Sequence, residues 1–167
     1  MLKEPQGAGY YEFKGKPELV FKRDNAQFSE VERAKSFHAD TYCFDSKPEK
    51  ECFTQYISSL DVDEVYFTGM FTAEQGDLYV NYYDPDSQRI RQYYPDFFAK
   101  MADGTYRLIE VKGDNKIDDR IVQAKKQAAE EMAAASGVEY IMYAGSTIMS
   151  SNVLGGGSML TEGERLF

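Results

Sequence analysis

An α/β sandwich with a helix on each face of a sheet is the fold class that this 167-residue sequence predicts. Three observations predict it. A capped amphipathic segment lies near residues 46–60, strand-like runs joined by turns follow to residue 113, and an alanine-rich helical segment then leads to a short apolar strand. Strands followed by a helix that crosses to one further strand stack most simply as a sheet with a helical layer on each side.

The elements follow in order. Residues 10–23, YYEFKGKPELVFKR, read as two short strands around a Gly-Lys-Pro turn; beyond them SEVERAKSF suits a short helix and TYCF a strand. In SKPEKECFTQYISSL (46–60), Ser46 is the expected N-cap, Pro48 sits in the first turn, and Glu49 stands at the capping-box position. Cys52, Phe53, Tyr56, Ile57 and Leu60 recur at three- and four-residue intervals, as one helix face requires. EVYFTGMF (64–71) and DLYVNYY (77–83) have strand character, and a DPDSQ turn follows. The runs YYPDFFAKM and TYRLIEVKG are separated by Ala102-Asp103-Gly104, a hairpin signal. IDDRIVQAKKQAAEEMAAAS is rich in helix formers, with Asp118 or Asp119 as cap and Gly137 as the stop. Its apolar stripe is read as Ile121, Ala124, Ala128, Met132 and Ala135, and VEYIMYAG (138–145) closes the series as a strand.

Composition limits the function classes. Apolar content of 43% and aromatic content of 14% belong to a globular chain, and one domain is the simplest division. No apolar run approaches the roughly 20 residues of a membrane span, and MLKEPQGAGYYEF lacks a signal-peptide core, so a soluble, cytoplasmic protein without a membrane partner is expected. Cys43 and Cys52 have no CxxC spacing and His38 is the one histidine, which leaves no Cys/His zinc site and makes the thiols reduced and structural. A net charge of −9 argues against broad phosphate neutralisation. DNA then requires cations gathered on one face, a divalent metal, or help from another subunit.

Two of the runs carry charges where a buried strand prefers valine. Alternate strand residues share a face, so Glu110 and Lys112 point one way while Ile109 and Val111 point the other. Tyr94, Asp96 and Phe98 are read as one face of the preceding run, in which Pro95 marks an edge position or a bulge. The hairpin makes the runs neighbours; a register bringing Asp96 to Glu110 is compatible with the sequence and not fixed by it. Two adjacent carboxylates repel unless a proton or cation lies between them, and Mg²⁺ with oxygen ligands meets that need. A lysine beside them suits the orientation of an attacking water and the stabilisation of charge on a phosphoryl oxygen. The plainer alternative is a solvated sheet face with a cross-strand ion pair.

Pro95-Asp96, thirteen intervening residues, then Glu110-Val111-Lys112 resembles the PD-(D/E)xK nuclease superfamily. The order of elements from Ser46 to Gly145 is similar to its restriction endonuclease-like αβββαβ core, a mixed central sheet flanked by helices. Within it, FDSKPEKECF…YYPDFFAKMADGTYRLIEVKGDNK…AKKQAAEEMA is most similar to the C-terminal nuclease domain of type III restriction enzyme Res subunits. The resemblance implies a division into a β-rich N-terminal extension (1–45), a nuclease core (46–145) and a C-terminal tail (146–167). It implies a restriction or defence endonuclease that hydrolyses DNA to 5′-phosphate and 3′-hydroxyl ends. Asp96 and Glu110 would bind Mg²⁺, which Mn²⁺ replaces, together with the Val111 carbonyl. Lys112 would position the water, Glu49 would supply an accessory acid, and Gln123 and Lys126 are candidate substrate contacts. No GxxxxGK[ST] P-loop occurs, so the helicase motor of a Res subunit is not in these residues. A separate helicase or specificity subunit, or a homo-oligomer, is the expected partner. A non-catalytic DNA- or protein-binding module of this fold and a repair or resolvase nuclease are the alternatives.

Overall fold

A computed structural model describes residues 2–3, 12–13, 16–36, 41–68 and 78–155. His38, the end of the 64–71 run, Asp77 and most of the GGGS tract lie outside them, as does the tail beyond residue 155. Short elements come first: β1 (Leu2–Lys3) pairs with β2 (Glu12–Phe13), and β3 (Val20–Lys22) pairs with β4 (Thr41–Cys43). The two strands expected within 10–23 therefore form, and each pairs elsewhere. Between β3 and β4, α1 (Glu30–Ala34) starts in a full capping box of Ser29 and Glu32.

The central sheet has the order β10-β9-β8-β5, built from β5 (Val62–Phe67), β8 (Phe97–Met101), β9 (Tyr106–Lys112) and β10 (Glu139–Ala144). β5–β8 and β8–β9 are antiparallel, whereas β9–β10 is parallel, because α3 (Arg120–Ser136) carries the chain across between them. The sheet is thus mixed and flanked by helices. Inserted between β5 and β8 is a separate hairpin of β6 (Val80–Asp84) and β7 (Arg89–Tyr93). The DLYVNYY run belongs to that hairpin and not to the central sheet. Alternation alone carries no information about which strand is the neighbour.

Register parity divides the sheet faces. Phe97, Ala99, Ile109 and Val111 join Val65 and Phe67 beneath α2 (Lys47–Ser58), which contributes Cys52, Phe53, Tyr56 and Ile57 to a continuous core. On the opposite face Val80, Tyr82, Tyr93 and Ala129 form a second core, with Ile121, Ala124, Ala128, Met132 and Tyr140 packed against it. Phe53 has no exposed surface and packs against the rings of Phe21, Tyr42, Phe44 and Phe97, so truncation to alanine there costs about 3–5 kcal/mol.

Local details correct several expectations. Leu60 lies past the helix end and is 48% exposed. Four of the five positions read as the α3 stripe, Ile121, Ala124, Ala128 and Met132, pack against the second core; Val122, Ala129 and Ala133 are the buried positions, and Ala135 is exposed. Asp119 supplies the cap, accepting from the Ile121 N–H, and Gly137 takes the left-handed conformation that stops the helix. The Asp103-Gly104 turn forms as expected, with Gly104 at φ 86°. The run YYPDFFAKM is not one strand: β7 ends at Tyr93 and β8 begins at Phe97. Nor is β8 an edge strand, since β9 and β5 flank it.

Candidate active site

Three element ends meet where Tyr94-Pro95-Asp96 interrupts the two hairpins. The β8–β9 ladder runs Phe97↔Ile109 and Phe98↔Leu108, which sets Asp96 opposite Glu110 one step beyond the last recorded pair. The next step would join Val111 to position 95, where proline has no N–H to give. The Pro95 carbonyl is occupied as well, accepting from the Thr68 hydroxyl at 2.6 Å. Val111 donates its N–H instead to Asp96 Oδ2 at 2.7 Å. Proline therefore stops the ladder, and the acid after it takes up the freed donor. The same geometry turns the Val111 carbonyl toward this gap, since the N–H and C=O of one strand residue point to the same side.

Glu110 lies on the face opposite Ile109 and Val111, and it is only 5% exposed. Its Oε1 is 3.0 Å from the Lys112 ammonium, two residues along on the same face. Its Oε2 is buried and has no hydrogen-bond partner, a condition shared among the described residues by the hydroxyls of Tyr94 and Tyr140. Tyr94 is two residues from Asp96, and Tyr140 sits on the β10 face that Glu110 shares. Buried oxygens without partners are rare in native proteins and mark places where water or an ion belongs.

Glu49 approaches from the start of α2. Ser46 caps the helix through the Glu49 N–H at 3.3 Å, but the Glu49 carboxylate accepts from the Asp45 N–H and the Ser46 hydroxyl, not from the Ser46 N–H. The capping box is thus half formed. Gly145, the first residue of α4 (Gly145–Ser150), marks the closeness of these parts: a Cβ there would stand 3.2 Å from Pro48 Cγ and 3.7 Å from the Lys112 carbonyl.

The electrostatics join the four groups. Burial, then the charges of Glu110 and Glu49, push the Asp96 carboxyl well above its usual range against the Val111 hydrogen bond. Burial also raises Glu110, opposed by Lys112 and Lys125. Glu49 is raised by burial, with Asp45 and Glu110 adding to it. Burial works against the Lys112 ammonium, yet Glu110, Asp96 and Glu49 outweigh it and hold its pKa above the ordinary lysine value. An excess of buried acid over base is what a bound cation would relieve. Two carboxylates, a strand carbonyl and room for water suit a hard divalent ion that keeps part of its hydration. Among the described residues no three His, Cys, Asp or Glu side chains are gathered so as to hold a metal ion by themselves.

Of the residues singled out from sequence, Asp96, Glu110, Val111, Lys112 and Glu49 are therefore brought together. Gln123 and Lys126 lie on α3 in contacts of their own: Gln123 donates to the Ile117 carbonyl at 2.6 Å, and Lys126 forms an exposed pair with Glu130 at 3.8 Å. It is the neighbouring Lys125 whose charge reaches Glu110. No residue-type pattern marks Lys125 in the sequence, where it reads as solvated helix face.

No curated protein matches this chain. A family model described as TnsA-like endonuclease N terminal matches residues 50–145, more than half of the sequence. That match supports the PD-(D/E)xK nuclease superfamily and the restriction endonuclease-like fold, and it lends no support to a particular closeness with type III Res subunits. No described helix is long and apolar enough to cross a membrane. A mixed sheet between two helical layers, with acids and a lysine converging at a broken strand, agrees with the match: the chain belongs to the TnsA-like endonuclease N-terminal family.

Proposed function

We propose that this protein is a divalent-metal-dependent DNA endonuclease that cuts phosphodiester bonds at the Asp96–Glu110 pair. The observation that carries the reading is Glu110: a buried carboxylate with one oxygen on Lys112 and the other without a partner, opposite a second buried acid. Asp96, Glu110 and the Val111 carbonyl are the residues that would hold Mg²⁺ or Mn²⁺, with Glu49 acting from one layer further out. When bound, the ion supplies positive charge to the phosphoryl oxygens and lowers the pKa of water.

The side chains do the remaining work. Lys112 stays an ammonium beside Glu110, so it serves as a hydrogen-bond donor that aims water and steadies charge developing on a phosphoryl oxygen. Water oxygen attacks phosphorus in line with the departing bond, and the P–O3′ bond breaks with its electron pair on the 3′ oxygen. The water proton passes to solvent and the 3′ oxygen gains one, which leaves 5′-phosphate and 3′-hydroxyl ends. Restriction or defence as the setting rests on the Res-like sequence pattern alone, and the division into extension (1–45), core (46–145) and tail (146–167) rests on the order of elements that resembles the superfamily core.

Nicking of supercoiled plasmid with Mg²⁺ or Mn²⁺ tests the reading. Wild type should nick only with metal, and Asp96→Asn and Lys112→Ala should each slow nicking by about 10²-fold or more. Equal nicking by all three, or metal-dependent nicking by none, leaves a non-catalytic module of the same fold.

A further inference from the structure

Lys125 is held in a manner its sequence position gives no reason for. Its ammonium lies 5.4 Å from the ring centroids of both Tyr82 and Tyr93. Those rings are buried, stand 5.9 Å apart and cross at 82°, forming a V-shaped cleft on the β6–β7 hairpin. Tyr93 also donates its hydroxyl to the Lys125 backbone carbonyl at 3.3 Å. Helix backbone and side chain are thus fixed by one pair of tyrosines, and Tyr93 ends the strand only three residues before Asp96.

Several other cations near this face have a carboxylate partner, two of them in long, exposed pairs. Arg91 pairs with Asp84, Arg120 with Asp86, Lys126 with Glu130 and Lys112 with Glu110. Lys125 has no ion pair or hydrogen bond at its ammonium among the described residues. Ring faces attract the charge without saturating its three N–H donors, so the group is oriented and still able to bind an anion. A chain at −9 can attract a polyanion only through such well-placed cations.

We propose that Lys125 is a substrate-positioning residue that binds a DNA backbone phosphate adjoining the one cleaved. The inference rests on the reading of Asp96 and Glu110 as the cleavage centre. It replaces Lys126, which the sequence suggests, with its neighbour. The tyrosine cleft confines the ammonium before DNA arrives, so the contact forms at little cost in side-chain freedom.

The test measures affinity for a fluorescent duplex of about 30 base pairs against salt concentration, with Ca²⁺ and in the Asp96→Asn background so that no cutting intervenes. Adding Lys125→Met should lower the slope of log K against log salt by about 0.9 and weaken binding roughly tenfold near 0.1 M, the effect of one lost phosphate contact. Lys125→Arg should restore the slope. Lys126→Met removes the same charge one position along and should leave it unchanged. An unaltered slope in Lys125→Met, an equal loss in Lys126→Met, or no binding even at the lowest salt overturns the proposal. The nuclease reading fails separately, by absence of plasmid nicking in the wild type, and a Lys125-dependent slope would survive that result.

Discussion

Glu110 and Asp96 pose a problem of charge that the metal-free protein solves poorly. Each is buried, the Glu110 charge raises Asp96 further, and Lys112 pairs directly with Glu110 alone. The unfolded chain ionises both in the ordinary carboxylate range, whereas the native state holds their protons to higher pH. Across that window the native state binds more protons than the unfolded one, so stability falls as pH rises. Metal-free wild type should therefore lose stability from the ordinary carboxylate range upward. Asp96→Asn, which keeps an oxygen for the Val111 N–H, should flatten that fall. At neutral pH it should raise the thermal midpoint by about 2–4 °C, the shift that 1 kcal/mol produces in a chain of this size, while slowing nicking by about 10²-fold or more. Scanning calorimetry across pH checks both; a lower midpoint for Asp96→Asn would mean the carboxylate stabilises the fold.

Among the elements, the break between β7 and β8 shapes the site, and it is also where sequence reading fell short. A proline inside an aromatic run looks like an edge strand or a bulge, since alternation continues on both sides of it. The structure instead ends one strand, anchors Pro95 and Asp96 to Thr68, and begins another strand in mid-sheet. Pro95→Ala restores an N–H opposite Val111 and lets the ladder extend over its carbonyl. Nicking should fall about tenfold, and the midpoint should fall by only a few degrees from the freer unfolded chain. Unchanged nicking would show that the Val111 carbonyl takes no part. Where the sequence has contrast, it was legible: Ser46 and Asp119 as caps, Gly137 as a stop, Asp103-Gly104 as a turn, and the acid-acid-lysine spacing. The α3 face was legible at Ile121, Ala124, Ala128 and Met132; only Ala135 was misread, because alanines at 124, 128, 129, 133, 134 and 135 surround the helix with nearly equal hydrophobicity. Lys125 was illegible because its meaning depends on two tyrosines that only the hairpin fold brings beside it.

At the scale of the whole molecule, two cores on opposite sheet faces press the ends of α2, β9 and α4 together. Packing over the full sheet thereby holds three acids around the one directly paired cation, Lys112, which scattered surface charges would avoid. That repulsion is tolerable if the native state is completed by a divalent ion. Calorimetric titration of Mn²⁺ into the wild type, Asp96→Asn and Glu110→Gln measures this directly. Wild type should bind at a site that each substitution weakens by about tenfold or more. Equal Mn²⁺ binding by all three proteins, or none by the wild type, would contradict the assignment of Asp96 and Glu110 as the metal-holding pair.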